Sequence, residues 1–245
     1  MDINQKIDSY LKTLALHHIR DIYLDEAEKA VKAKLSYQDY LLRILEQQII
    51  CKIDRSINRR IQIAGFPVIK QLEEFDFSFQ PQIDEKLIRE LANLYFLNEA
   101  KNIILLGPPG VGKTHLAIAL GVKACQAKKK VLFYSASTLA NDLALAEVSG
   151  LLNKKILSLS RADLLVIDEL GYLDLSKKVA SLFFQLFSKR YENCSTIITS
   201  NKPFEEWGAI FNDDAVATAI LDRLLHHSYS FFIQGKSFRL KHYNK

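Results

Sequence analysis

Two short stretches of this 245-residue chain hold the residue types that phosphate chemistry requires. The first is Gly107-Pro108-Pro109-Gly110-Val111-Gly112-Lys113-Thr114, followed by His115, which satisfies the spacing GxxxxGK[ST]. Its glycines let backbone N–H groups converge on an anion at the positive N-terminus of a helix. Lys113 is placed to reach β- and γ-phosphates, and the Thr114 hydroxyl to ligate Mg²⁺. The second is Leu164-Leu165-Val166-Ile167-Asp168-Glu169, four apolar residues ending in two carboxylates. Carboxylates against a buried strand are costly unless something pairs with them. Asp168 is expected to hold Mg²⁺ beside Thr114, and Glu169 to polarise a water for in-line attack on the γ-phosphate.

Two further residues extend this constellation. Asn201 closes the stretch STIITSN and is the candidate to hydrogen-bond the attacking water or a γ-phosphate oxygen. Arg223, in AILDRLLHH, is the candidate to enter a neighbouring subunit's site, where such an arginine is worth ~10³–10⁵ in rate. Arg190 of KRYEN is the alternative for that role.

These side chains need elements to position them. Asn102 to Leu106 reads as a strand running into the phosphate loop, and Lys113 to about Ala127 as the helix after it. Further strands are expected at Val131–Tyr134, Leu164–Asp168, Ser195–Thr199 and Tyr229–Ile233, with helices at Thr138–Ile156 and Lys177–Tyr191 between them. Apolar strands alternating with helices predict an α/β fold, a parallel five-stranded sheet flanked by helices. Upstream, residues 4 to about 63 are helical in pattern, and SYQD at Ser36 to Asp39 is a capping-box-like start. The helix it opens carries Ile50, Ile53, Ile57 and Ile61 on one face and Lys52, Arg55 and Arg59, with Arg60 adjacent, on another. The stretch QLEEFDFSFQPQID reads as a connector, with Asp84 capping a helix to about Leu97. The expected organisation is a small all-helical domain over 1–66, a connector and lead-in helix over 67–100, and a catalytic domain over 101–245.

Bulk properties narrow the class. The net charge is +5, and its excess sits in two places. Lys52, Arg55, Arg59, Arg60 and Lys70 face Asp54 alone; Arg223, Lys236, Arg239, Lys241 and Lys245 face Asp222 alone. Lys52, Arg55, Arg59 and Arg60 are the candidate DNA contacts, since basic residues at helical spacing can track phosphates without reading sequence, and a solvated helix face is the alternative reading of the same stripe. No apolar run approaches eighteen residues and the start lacks the pattern of a secretory leader, which points away from membranes and toward the cytoplasm. Three scattered cysteines read as reduced thiols. The pairs His17-His18 and His226-His227 have no cysteine or acid at ligand spacing, so no metal beyond nucleotide-bound Mg²⁺ is expected.

The chain resembles the IstB-like ATP-binding proteins of insertion sequences, relatives of the helicase loader DnaC and more distantly of the initiator DnaA. The resemblance runs through FDFSFQPQID, NIILLGPPGVGKTHLA, DLLVIDELGYL, TIITSNKPFEEWGAIF, AILDRLLHH and GKSFRLK. It implies an AAA+ ATPase fold behind a small helical domain, with Lys113 and Thr114 as Walker A, Asp168 and Glu169 as Walker B, Asn201 at sensor 1 and Arg223 in the arginine-finger region. It also implies ATP and Mg²⁺ as cofactors, ATP at the junctions of a homo-oligomer, and double-stranded DNA and a cognate transposase as partners. Only 44 residues follow Asn201, too few for a full C-terminal lid, and Arg239 is a weak substitute for the arginine such a lid carries. Competing readings are a helicase loader acting on single-stranded DNA, a small-metabolite kinase and an inactive nucleotide-binding scaffold. Glu169 directly after Asp168 argues against the kinase, and the filled catalytic positions argue against the scaffold.

Overall fold

The structure, a computed structural model, describes residues 2–172 and 174–238. Contacts divide the chain into two compact units, Met1–Arg59 and Arg60–Lys245.

The first unit is helical: α1 (Ile3–Thr13), α2 (His17–Lys32) and the greater part of α3 (Tyr37–Ala64). With no proline or glycine to stop them, the first two helices end beside residues that take the left-handed conformation, Ala15 (φ 55°) and Lys34 (φ 53°). Ser36 caps α3 as its sequence predicts: its Oγ accepts from the Asp39 N–H at 3.1 Å and donates to the Asp39 carboxylate at 2.6 Å. Ile19, Tyr23 and Ile44 form a small core, and the Gln48 amide oxygen accepts from the Ile19 N–H inside it. Few apolar residues are enclosed because so short a segment has little interior. Ile50 and Ile53 accordingly lie exposed.

The second unit is the α/β fold expected, a five-stranded parallel sheet in the order β2-β3-β4-β1-β5. In chain order its elements are α4 (Glu85–Leu91), α5 (Tyr95–Asn98), β1 (Asn102–Leu106), α6 (Lys113–Gln126) and β2 (Val131–Ser135). There follow α7 (Ala136–Val148), α8 (Leu152–Ser160), β3 (Leu164–Asp168), α9 (Lys177–Arg190) and β4 (Ser195–Ser200). Last come α10 (Trp207–Phe211), α11 (Asp214–Leu225) and β5 (Ser228–Phe232).

Side-chain alternation explains why the strands read as unbroken apolar runs. Ile103, Leu105, Leu164, Val166 and Ile197 pack to one side with Leu116, Leu120 and Ile88. Ile104, Leu106, Leu165, Ile167 and Ile198 pack to the other with Phe183, Leu186, Phe211 and Ile220. Both faces are covered, as parallel sheets demand. At about 25 cal/mol per Å² of apolar surface removed from water, these two layers are the main source of the unit's stability.

Two expected helices are each broken. The one capped by Asp84, whose carboxylate accepts from the Leu87 N–H at 3.0 Å, stops at Leu91. Leu94 (φ 65°) then turns the chain into α5. The 138–156 stretch begins earlier and divides into α7 and α8 at Ser149–Leu151, around Gly150. The connector is irregular and anchored: Leu72 is buried, and Lys123 of α6 pairs with Glu73 at 2.7 Å. Among the described residues no helical bundle follows β5, and Arg239 lies outside them.

Candidate nucleotide site

The phosphate loop lies between β1 and α6, at the carboxyl end of the sheet, where open α/β sheets bind ligands. Gly112 takes φ 102°, a conformation L side chains rarely adopt, and a Cβ there would come within 2.5 Å of the Phe75 ring. Gly110, at φ 82°, is crowded in the same way by Ser237, and its carbonyl accepts from the Phe238 N–H at 2.9 Å. The Gln80 amide donates to the Lys236 carbonyl at 3.1 Å. Connector and C-terminal segment therefore flank the loop.

The walls enclose a cavity of about 550 Å³, within the usual range for small-molecule sites. Its lining includes Val68, Phe75, Phe79 and Phe238, with Phe79 and Phe238 edge to face at 5.2 Å. It also includes Lys113, Thr114, Glu169 and Asn201. Aromatic rings together with a glycine loop suit a flat base carrying phosphates. The Lys113 ammonium donates to the Gly107 and Pro108 carbonyls at 2.6 and 2.8 Å, which keeps it inside the loop. His115 lines the cavity but is turned to the connector, with its Nε2 2.8 Å from the Gln71 carbonyl and its ring against Phe75.

The two acids differ in burial and in partners. Asp168, 7% exposed, accepts from the Thr114 hydroxyl at 2.8 Å and from the Thr199 hydroxyl at 2.5 Å, both on Oδ1. Glu169 is exposed, its backbone is left-handed (φ 64°), and its N–H donates to Thr199 Oγ1 at 2.9 Å. Pairing of Ile167 with Ile198 sets the following residues, Asp168 and Thr199, abreast at the carboxyl end of the sheet. Asn201 follows β4, and its Oδ1 is buried against Gly171. Thr114 and Asp168 supply hard oxygen donors side by side, a set that fits Mg²⁺. Thr199 escaped the sequence reading. The signal that could have found it was its place two residues before Asn201 in a strand beside the acidic one.

The remaining candidates lie elsewhere. Arg223 does not line the cavity. Its guanidinium donates to the Ala219 carbonyl at 2.8 Å and stacks 4.7 Å from the Phe184 ring centroid. Arg190 is 1% exposed and donates to the carbonyls of Leu159, Ala162 and Ser195 and to the Thr196 hydroxyl, so it is a structural bolt that cannot reach a neighbour. Lys52, Arg55 and Arg59 are exposed in the first unit. Arg60, one residue and about 100° further round the helix, is half-buried in the second unit, close enough to Cys125 for its charge to act on that thiol. It does not share their exposed face. Among the described residues His226 and His227 do have an acid beside them. Glu192 lies 4.0 and 3.9 Å from their ring nitrogens, from a turn that sequence spacing could not relate to them. All three are exposed, and His226 Nδ1 is also 2.8 Å from the Tyr191 hydroxyl.

Comparison with known proteins places this geometry. Residues 9–245 match the family described as IstB-like ATP binding protein. The chain is 46% identical over 240 residues to the insertion sequence IS21 ATP-binding protein of Pseudomonas aeruginosa, covering 98% of this chain and 91% of that protein. Among solved structures it is similar to AMPPCP-bound DnaA from Aquifex aeolicus, with TM-score 0.60 and 20% identity over 72% of this chain and 54% of the other. It is also similar to the DnaC helicase loader, with TM-score 0.54 and 23% identity over 71% of this chain and 98% of that one. At such identities the two structures establish the fold alone.

Proposed function

The chain belongs to the IstB-like ATP-binding proteins, and from that premise we propose that it is a DNA-binding ATPase that assists a transposase. The observation that carries hydrolysis is the Thr114–Asp168 hydrogen bond with Glu169 next in the chain, on the cavity that also holds Lys113 and Asn201.

On binding ATP, the Lys113 ammonium exchanges the carbonyls of its own loop for β- and γ-phosphate oxygens, while loop N–H groups hold the remaining charge. Thr114 and Asp168 would hold Mg²⁺, which when bound neutralises phosphate charge and aligns the phosphates. Glu169 takes a proton from the attacking water, and the Asn201 amide orients that water. Arg223 lies outside the cavity, which suits a group supplied to a neighbouring subunit's site in a homo-oligomer with ATP at its junctions. Lys52, Arg55 and Arg59 would follow duplex phosphates without base readout. In this reading residues 1–66 serve DNA binding and assembly, and residues 101–245 serve ATP. A transposase partner is supported by the insertion-sequence naming of the relatives. Among the described residues no helix is long and apolar enough to cross a membrane.

Fluorescence anisotropy of random-sequence duplex and single-stranded DNA, at one fixed salt concentration, tests the proposal. It is measured with ATPγS, with ADP and without nucleotide. Duplex binding that requires ATPγS is the expected result. Binding to single strands alone would replace this reading with that of a helicase loader, and binding to neither would make the partner a protein.

A further inference from the structure

Resting on the hydrolytic reading above, we infer that Thr199 is a positioning residue that locks the two acids to each other. Its hydroxyl touches both. It donates to Asp168 Oδ1 at 2.5 Å and accepts from the Glu169 N–H at 2.9 Å. Thr199 is 1% exposed, so the direction of these bonds is set without competition from water.

Three features make this more than the routine satisfaction of a polar strand residue. First, Glu169 takes a left-handed backbone at φ 64°, which costs a side-chain-bearing residue about 1–2 kcal/mol. The N–H of this strained residue, which follows β3, is received by Thr199 Oγ1. The strained turn and the hydroxyl belong together. Second, Asp168 Oδ1 takes both the Thr199 and the Thr114 protons. One carboxylate oxygen is thus clamped from α6 and from β4, which leaves the carboxylate a single orientation toward the metal side. Third, Thr199 is buried in β4 beside the fully buried Ile197 and Ile198, so valine would fill much of its space but not supply its chemistry.

The consequence is geometric coupling. Glu169 must place one oxygen against a water in line with the γ-phosphate, and its backbone is anchored through the hydroxyl that also orients Asp168. Without that hydroxyl the Glu169 N–H loses its acceptor and the turn is free to relax. Displacement of a catalytic group by about 1 Å costs on the order of 10²-fold in rate. Substrate affinity, which rests on Lys113 and the loop N–H groups, should remain.

The test uses the full chain and the variants T199V, T199S and E169Q. Steady-state ATP hydrolysis gives kcat and KM, and a fluorescent ATP analogue reports binding. T199V is expected to lose on the order of 10²-fold in kcat while analogue affinity and KM stay within about threefold. T199S, which restores the hydroxyl, should return kcat to near the wild-type value. Wild-type kcat in T199V, equal impairment in T199S and T199V, or loss of analogue binding in T199V would each overturn the positioning role. A wild-type chain that does not hydrolyse ATP, or one that E169Q leaves unchanged, would instead overturn the hydrolytic reading and this inference with it.

Discussion

The Thr114 hydroxyl and the Asp168 carboxylate, 54 positions apart in sequence, meet at 2.8 Å. One stands at the start of α6 and the other at the end of β3, so this part of the site is assembled by the sheet itself. Its geometry is as rigid as the packing of α6 on β3, a contact between two layers of fully buried side chains.

Glu169 stands next to that pair and carries no structural load through its exposed side chain. E169Q should therefore fold normally and bind ATP with affinity unchanged within about twofold, while hydrolysis falls ~10²–10⁴-fold as expected for loss of a general base. Circular dichroism, nucleotide binding and phosphate release measured on the same preparation check this.

Arg223 and Lys113 are expected to act from different subunits. R223A and K113A, each inactive alone, should recover measurable hydrolysis when mixed, because one kind of junction then holds an intact Lys113 and an intact Arg223. Absence of recovery in mixtures shown by light scattering to co-assemble would place the two in one subunit's chemistry.

Arg55 and Arg59 are exposed, whereas Arg60 is half-buried. R55A/R59A should lower duplex affinity and flatten the plot of log affinity against log salt by about 0.9 per lost phosphate contact. R60A should leave that slope unchanged and lower thermal stability instead. A salt series of anisotropy titrations separates the two.

Arg190 holds the end of α8, the approach to β3 and the start of β4 through its guanidinium. R190M would strand several buried acceptors at about 1–3 kcal/mol each. For a unit of this size that corresponds to a fall in Tm of roughly 10 °C or more. Differential scanning calorimetry gives the result directly, and R190K should recover only part of it because an ammonium cannot match the planar fork.

Cys125 supplies the pH dependence. Burial pushes its thiol up from 9.0 to about 11, with Arg60 opposing the shift. The folded pKa lies above the unfolded one, so the folded state binds more protons between them. The resulting contribution to stability is complete below about pH 9 and is lost as pH rises toward 11. Tm should fall across that window, and less steeply in C125A. At pH 8 a thiol reagent should label the half-buried Cys51 and Cys194 ahead of Cys125.

How much of this was legible in the chain follows from the range of each signal. The phosphate loop and the acidic strand were plain because their chemistry is written in adjacent residues, and the parallel sheet because Leu164–Ile167 and its counterparts are apolar at every position. Helix ends were less legible. Ala15, Lys34 and Leu94 break helices in left-handed conformations that sequence usually reserves for glycine or asparagine. Partnerships across the fold were hidden altogether. Thr199 reads as one more β-branched strand residue until the register sets it beside Asp168. Arg190 and Arg223 look interchangeable until one proves fully buried and the other partly exposed.

The hydrogen bond between Gly110 and Phe238 joins residues more than a hundred positions apart. Ribosomes extend a chain at ~5–20 residues per second, so the phosphate loop emerges roughly 5 to 25 seconds before the segment that closes over it. During that interval the nascent protein carries every residue of its nucleotide motif and has no finished cradle in which to hold a ligand. Completion of the cavity therefore waits for that later segment, and a truncation just beyond β5 would leave the motif intact while removing the wall that Phe238 supplies.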